Sequence, residues 1–389
     1  VNLPDIHFAQ GAVTPSPMDQ ALALAASALF VTAPNPRVGC VLVDAKGQVI
    51  GQGRTQQAGG AHAEVMALRD AQAKGRSVVG ATAYVTLEPC SHQGRTGPCC
   101  DALVAAGVRK VVAALEDPNP RVAGQGFARL RAAGIEVVVG PGAEASRALN
   151  IGFFSRMVRK TPWVRLKVAA SLDGTTALNN GSSQWITGEP ARVDGHAWRA
   201  RACAVLTGIG TVLQDQPRLD VRLVDTPRQP TLVIVDSDLQ TPPDAALFLG
   251  SGADLHRKVW IYAANPHPER QAALEARGAE VILLPGTDAH GLKTGKVDLG
   301  GLLHDLARRE INEVHVEAGH KLNGSWLREG RVDELLVYLA PKLLGQGAGM
   351  AHFGPLTALA QGLELEFDRI DRVGADLRLI ARVAGRSVF

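Results

Sequence analysis

Ala61-His62-Ala63-Glu64, followed after one helix-length and one strand-length stretch by Pro89-Cys90 and then by Pro98-Cys99-Cys100, decides how the first half of this chain folds. One histidine and two cysteines are the ligand types that zinc prefers in tetrahedral geometry, and three protein ligands leave the fourth position open, as in a catalytic site. Glu64 stands too close to His62 to be needed as a ligand. On the first turn of a helix it can instead face a metal-bound water and carry its protons, which makes it the general acid/base candidate. Cys99 and Cys100 both precede the helix-like Asp101 to Ala106, whose N-terminus favours a thiolate. Cys99 is the preferred ligand, with Cys100 the alternative. A closed structural zinc would want a fourth ligand, and His92 is the obvious spare.

Zinc deaminases carry His-x-Glu followed by Pro-Cys-x-x-Cys. His62-Ala63-Glu64 and Pro89-Cys90 match that pattern, but eight residues, Ser91 to Pro98, separate the two thiols where two are usual. The 389 residues are 46% hydrophobic, enough to bury sizeable cores in two domains. A net charge of +3 and the lack of a basic block interleaved with aromatics exclude a nucleic-acid surface. Five scattered cysteines argue against a disulfide framework and for a reducing, cytoplasmic setting. The apolar run Ala21 to Phe30, preceded by Asp19, reads as a buried helix and not as a signal peptide or membrane span.

Taken in order, the chain predicts a helix from Met18 to near Thr32 and a break at Pro34-Asn35-Pro36. Strands follow at Val38 to Val43 and Val49 to Gly53, then a helix over His62 to Gln72 and an apolar strand over Ala81 to Leu87. After Cys99 come a helix ending at Gly107, a strand over Val108 to Ala114, a helix over Gly126 to Ala133, a strand over Ile135 to Val139 and a helix over Ala143 to Arg159. Such alternation makes a layered α/β domain with the metal on two helix N-termini. Lys160-Thr161-Pro162 restarts an extended segment, and a second α/β domain follows. Its strands are expected at Trp163 to Ala170, Ala204 to Thr207, Thr231 to Asp236, Lys258 to Ala263, Glu280 to Leu284, Glu313 to Glu317 and Glu334 to Leu339, with a helix over Pro190 to Arg201. Gly286 to Asp298 reads as a surface loop, and Gly345 to Gly349 as a hinge or phosphate-adjacent loop. No strict Gly-x-Gly-x-x-Gly follows a strand, but the glycines of Thr207-Gly208-Ile209-Gly210-Thr211 and of the stretch beginning at Gly319 could let backbone N–H groups approach phosphate.

Thr86 to Cys99, together with Asn35-Pro36-Arg37-Val38-Gly39 and Asp117-Pro118-Asn119-Pro120, closely resembles the bifunctional deaminase/reductase family of riboflavin biosynthesis, whose own Cys-to-Cys loop is enlarged. The resemblance covers nearly the whole chain. It implies a cytidine-deaminase-like three-layer domain over residues 1–160 and a dihydrofolate-reductase-like domain over residues 161–389. The first would remove the 2-amino group of a diaminopyrimidinone ribosylamine phosphate with Zn2+, and the second would reduce the ribosyl group to ribityl with NADPH. His62, Cys90 and Cys99 would hold zinc and Glu64 would shuttle protons. Asn35 would bind the pyrimidine, with His92, Arg95 and Thr96 lining the substrate loop. In the reductase half Ala169, Trp185, Thr211, Asp215, Ser237 and Gly319-His320-Lys321-Leu322-Asn323-Gly324-Ser325 would contact NADPH. Ser183, Arg199, Leu219, Arg222 and Glu317 would contact substrate, the arginines suiting its phosphate, and Lys167 and Glu317 are the ionisable candidates at hydride transfer. Thr55, Gly60 and Gly97 stand where the family more often has His, Glu and Pro. A homo-oligomer formed through the second domain is also implied.

Other readings stay open on the residues alone. A zinc deaminase of another nucleobase or nucleotide with a non-catalytic C-terminal binding module would share the first motif. Cys40 reads as a core thiol, Asp173 as a turn residue before Gly174, and Trp163, Trp198, Trp260 and Trp326 as packing aromatics.

Overall fold

The computed structural model describes residues 15–91, 97–120, 122–249 and 257–389. They form two compact units that divide between Arg159 and Lys160. No helix among the described residues is long and apolar enough to cross a membrane.

The first unit opens with helix α1 (Pro17–Ser27), whose N-cap Ser16 and Asp19 form a reciprocal capping box. Strands β1 (Gly39–Val43) and β2 (Val49–Arg54) then form a hairpin, and α2 (Ala63–Ala73) carries the chain to β3 (Thr82–Val85). α3 (Cys99–Ala105), β4 (Lys110–Ala113), α4 (Gln125–Ala132), β5 (Glu136–Val139), α5 (Ala143–Leu149) and α6 (Ile151–Arg159) complete it. The sheet order is β2-β1-β3-β4-β5, antiparallel at the first two pairings and parallel at the last two. Glycine lets helices sit directly on both faces. A Cβ on Gly39 would lie 1.9 Å from the Ala21 carbonyl oxygen of α1, and one on Gly53 would lie 2.4 Å from the Ala67 nitrogen of α2. Gly53 is the register partner of Cys40, one residue along from Gly39, so the two glycines face opposite sides and the sheet is the middle of three layers. Cys40 is fully buried in that sheet.

Two expectations are corrected here. The first helix stops at Ser27 and continues as turns through Val31, while the expected helix over Ala143 to Arg159 is two. At Asn150 the side chain accepts the Arg37 N–H at 2.7 Å and donates to the Arg37 carbonyl at 3.0 Å, tying the break between α5 and α6 to the turn that carries Asn35.

In the second unit β6 (Trp163–Ser171), β7 (Thr175–Leu178), α7 (Glu189–Arg201), β8 (Ala204–Gly208), α8 (Ile209–Asp215) and β9 (Thr231–Val235) are followed by β10 (Val259–Ala263), α9 (Pro268–Glu275) and β11 (Ala279–Leu283). Then come β12 (Pro285–Thr287), β13 (Lys293–Val297), α10 (Leu299–Arg308), β14 (Glu313–Val316), α11 (His320–Arg328), β15 (Glu334–Ala340), β16 (Gly347–Gly349), β17 (Leu365–Val373) and β18 (Asp376–Val383). Nine strands form one sheet in the order β11-β10-β9-β8-β14-β6-β15-β18-β17, parallel from β11 to β15 and antiparallel beyond. One apolar core packs Val205, Leu232, Ile234 and Ile261 of the parallel half, and another packs Trp198 against Leu336, Tyr338 and Ile380. The four tryptophans read as packing aromatics are all buried.

Here the expected surface loop from Gly286 to Asp298 is mostly a hairpin, β12 with β13. The Gly345 to Gly349 segment supplies β16, which pairs with β7. Asp173 does close a turn, and its carboxylate accepts the Gly345 N–H at 2.7 Å.

Candidate active sites

Three segments converge at the first site. His62 is the N-cap of α2, Cys90 lies beyond the end of β3, and Cys99 opens α3. Their ligand atoms all lie within 4.8 Å of one another. His62 Nδ1 is 3.2 Å from the Cys99 sulfur and 3.6 Å from that of Cys90. Tetrahedral zinc at its usual bond lengths spaces a nitrogen and a sulfur ligand by about 3.5 Å, so the donor set fits the ion with one position open. Cys100 is not part of the cluster; its sulfur contacts Asp101 Oδ1 at 3.9 Å, and burial pushes its thiol up to about 11. Cys90 is held down at about 4, first by the hydrogen bond from the Cys99 thiol, while that bond and burial push Cys99 up. The pair keeps one proton between two sulfurs, which metal binding would release.

Glu64, in the first turn of α2, is 3% exposed. Burial, and after it the charge of Cys90, pushes its carboxyl up to about 7; a bound dication acts in the opposite sense. Asn35 sits in a turn before β1, its N–H donating to the Thr32 carbonyl at 2.9 Å, and Arg37, two residues on, is the one held by Asn150. Because Gly39 at the start of β1 meets Thr86 at the end of β3, Asn35 is at the same end of the sheet as Pro89-Cys90. His92, Arg95 and Thr96 lie outside the described residues.

The second site is a cavity of about 1340 Å³ beyond the carboxyl ends of β6, β8, β9 and β14, the usual place for a ligand in an open α/β sheet. Of the residues expected at NADPH, Ala169, Trp185, Thr211, Asp215, Ser237, Gly319, His320, Lys321, Leu322, Asn323 and Ser325 line it, and so do Ser183, Arg199, Leu219, Arg222 and Glu317, expected at substrate. Gly324 does not; a Cβ there would lie 2.1 Å from the His352 carbonyl oxygen, so its role is to let α11 pack closely. Glu317 receives the Arg199 guanidinium as a fork, with Nη2 to Oε2 at 2.9 Å, and Lys167 Nζ stands 3.8 Å from Oε2. Burial raises the Glu317 carboxyl, but Arg199 and then Lys167 outweigh it and hold it well below its ordinary value. Burial lowers the Lys167 ammonium against the pull of Glu317. The Arg199 fork expected at the substrate phosphate is thus occupied by Glu317, and its remaining arm donates to the Asp220 carbonyl at 3.0 Å.

Residues 15–115 match the cytidine and deoxycytidylate deaminase zinc-binding region, and residues 162–379 match the RibD C-terminal domain. The riboflavin biosynthesis protein RibD of Escherichia coli K12 is 44% identical over 93% of this chain and 97% of that protein. The chain belongs to the RibD family. Among solved structures, RibD of Acinetobacter baumannii superposes with a TM-score of 0.83 at 40% identity, covering 95% of this chain and 98% of the other. A deaminase/reductase of Thermotoga maritima does so with a TM-score of 0.81 at 31% identity, again over 95% and 98%. Like RibD, the chain is a bifunctional enzyme of riboflavin biosynthesis, a zinc-dependent deaminase joined to a reductase, and the mixed α/β architecture with a cytidine-deaminase-like first domain is that of RibD.

The RibD frame also exposes a residue that motif reading passes over. The Glu88 carboxylate is 4% exposed and accepts four backbone N–H groups: Asp117 at 3.1 Å, Gly124 at 2.9 Å, Gly126 at 2.8 Å and Phe127 at 3.2 Å. It thereby fastens the Asp117 loop and the first turn of α4 beside Cys90. Its place in Thr86-Leu87-Glu88-Pro89-Cys90 is the sequence signal, but an acid two residues from a ligand reads as a metal group before it reads as an acceptor for backbone. Thr55, where the family more often has His, is buried with Oγ1 accepting the Val38 N–H at 3.2 Å.

Proposed function

We propose that residues 1–160 deaminate a diaminopyrimidinone ribosylamine phosphate and that residues 161–389 reduce the ribosyl group of the product to ribityl with NADPH. The observation that carries this reading is the open His62, Cys90, Cys99 set with a buried carboxylate, Glu64, in the first turn of the same helix. Bound there, zinc would acidify water so that hydrolysis proceeds near neutral pH. Glu64 carries one proton of the attacking water to the ring nitrogen and the other to the amine, which departs as ammonia while the carbonyl forms. Its burial keeps it close to the working pH. Asn35 hydrogen-bonds the heterocycle, and His92, Arg95 and Thr96 belong to the substrate loop.

In the second domain the nicotinamide supplies hydride, and this chain supplies orientation and a proton. Glu317, kept ionised by Arg199, holds the Lys167 ammonium in the cavity. Hydride added to the anomeric carbon would break its bond to the ring oxygen, and Lys167 would give that oxygen its proton, because its burial favours the neutral amine that remains. The N-terminus of α11 at Gly319-His320 offers backbone N–H groups to the pyrophosphate, and Arg222 and Ser183 face the substrate. The setting is cytoplasmic and reducing, in keeping with five free cysteines, and the working form is a homo-oligomer.

One assay tests the whole reading. With the diaminopyrimidinone ribosylamine phosphate and NADPH, the purified protein should release ammonia and oxidise NADPH, and removing zinc should stop the ammonia. With pre-deaminated substrate, NADPH oxidation should survive zinc removal. Ammonia without NADPH oxidation would reject the reductase half, and neither signal would reject both.

A further inference from the structure

We propose that Lys296, on the hairpin of β12 and β13, recognises the ribose 2′-phosphate of the nicotinamide cofactor and is the residue that makes this enzyme prefer the phosphorylated dinucleotide. This rests on the reading of the cavity as the cofactor site. Seven lysines and arginines line that cavity: Lys167, Arg192, Arg199, Arg218, Arg222, Lys296 and Lys321. Lys167 and Arg199 are paired with Glu317, and Arg218 and Arg222 with Asp220. Arg192 donates to the Thr187 carbonyl at 2.8 Å and lies over the Trp185 ring. Lys296 and Lys321 are the two whose side-chain charge has no partner among the described residues. A dinucleotide with a further phosphate carries two separate anionic groups. Lys321, in the first turn of α11, is placed for the pyrophosphate.

Lys296 is at the other end. Val235, Asp236, Ser237, Asp238 and Gln240, at and just after the end of β9, line the cavity together with Lys296, whose strand β13 packs against β10, the neighbour of β9 in the sheet, whereas Lys167 rises from β6. β6 and β9 are three strand intervals apart in the order β9-β8-β14-β6, about 14 Å at the usual spacing. That separation lets an extended dinucleotide place its nicotinamide at Lys167 and its far ribose beside Ser237. The Ser237 segment is firm, since its carbonyl accepts the N–H groups of Ala264 at 3.0 Å and Asn265 at 2.9 Å. Two acids share this end; Asp238 is engaged, and Asp236 is engaged through Oδ2 while its buried Oδ1 has no partner among the described residues. Asp236 Oδ2 accepts the Thr241 N–H and hydroxyl, each at 2.7 Å, and Asp238 accepts the Asn265 amide at 2.7 Å. Neither is paired with Lys296. An exposed ammonium facing the far ribose is suited to a phosphate and not to a hydroxyl.

The test uses the full-length, zinc-loaded protein and measures dissociation constants for NADPH and NADH by quenching of tryptophan fluorescence, Trp185 being an exposed reporter on the cavity wall. Lys296→Gln should weaken NADPH by roughly 10- to 100-fold, the range of a charge-assisted contact, and leave NADH unchanged. Lys296→Arg should restore most of the NADPH affinity, and the wild-type preference should shrink as salt is raised. Equal weakening of both cofactors, or no change in either, would overturn the assignment. If the wild type bound neither nicotinamide cofactor, it is the reading of the cavity itself that would fail.

Discussion

The role proposed for Glu64 follows from its position: the first turn of α2 buries it beside the His62, Cys90 and Cys99 cluster, and burial pushes it up to about 7. A base must be ionised, so deamination is lost as pH falls through the carboxyl's folded value, and a bound cation moves that limb to lower pH. Glu64→Gln keeps the shape and removes the proton carrier. We expect ammonia release to fall by about 10² to 10⁴, the acid limb of the pH profile to vanish, and zinc content to stay at one per chain. Loss of zinc in this variant would make Glu64 a ligand and break the assignment. At this scale most of the first site is legible in sequence, because His62, Glu64 and Cys90 stand in a fixed pattern around one helix start and one strand end. The choice between Cys99 and Cys100 is not, since both fit the spacing. The structure separates them because successive residues on a helix point about 100° apart and only Cys99 faces His62.

The elements set how closely the ligands can meet. α2 carries His62 and Glu64, and it lies on β2 only because Gly51 and Gly53 have no side chains. A Cβ on Gly51 would lie 2.4 Å from the Ala67 carbonyl oxygen, and one on Gly53 would lie 2.4 Å from the Ala67 nitrogen and 2.5 Å from the Ala63 carbonyl oxygen. These neighbours are backbone and cannot swing aside. Gly53→Ala must therefore push the helix off the sheet, at a cost of about 1–3 kcal/mol. We expect a lower melting temperature for the first domain together with reduced zinc affinity, measured by competition with a chelator; an alanine variant with unchanged zinc affinity would show that helix placement does not set the site. The same glycines look in sequence like ordinary weak strand positions. Other elements were hidden for their own reasons. β13 is polar and exposed, so Lys293–Val297 carries no alternating apolar signal. β17 alternates until the register shift between Phe367 and Arg369 interrupts it. The helix at Asn150 is broken by a partner more than a hundred residues away in sequence, which no local pattern contains.

Across the whole molecule, parallel strands buried on both faces are easily recognised, and so the two α/β domains and their family are legible from the order of residues alone. What ends the second sheet is less so, and it has a consequence. β17 is its edge strand, and Leu365, Phe367 and Ile370 along it are 40%, 67% and 56% exposed. Leu356, Leu359 and Leu363, just before it, add further exposed apolar area. An edge strand with unpaired backbone and an apolar surface is a template for another strand, and stable monomers blunt such edges. A second copy of this chain would cover it, burying the same residues twice by symmetry. Light scattering should then give a multiple of the 41.0 kDa chain mass. Phe367→Glu would place a charge at the centre of that contact and should return a single-chain mass while the far-ultraviolet circular dichroism stays unchanged. A wild type that runs as one chain at micromolar concentration, or a variant that keeps the wild-type mass, would mean that β17 is not where copies meet.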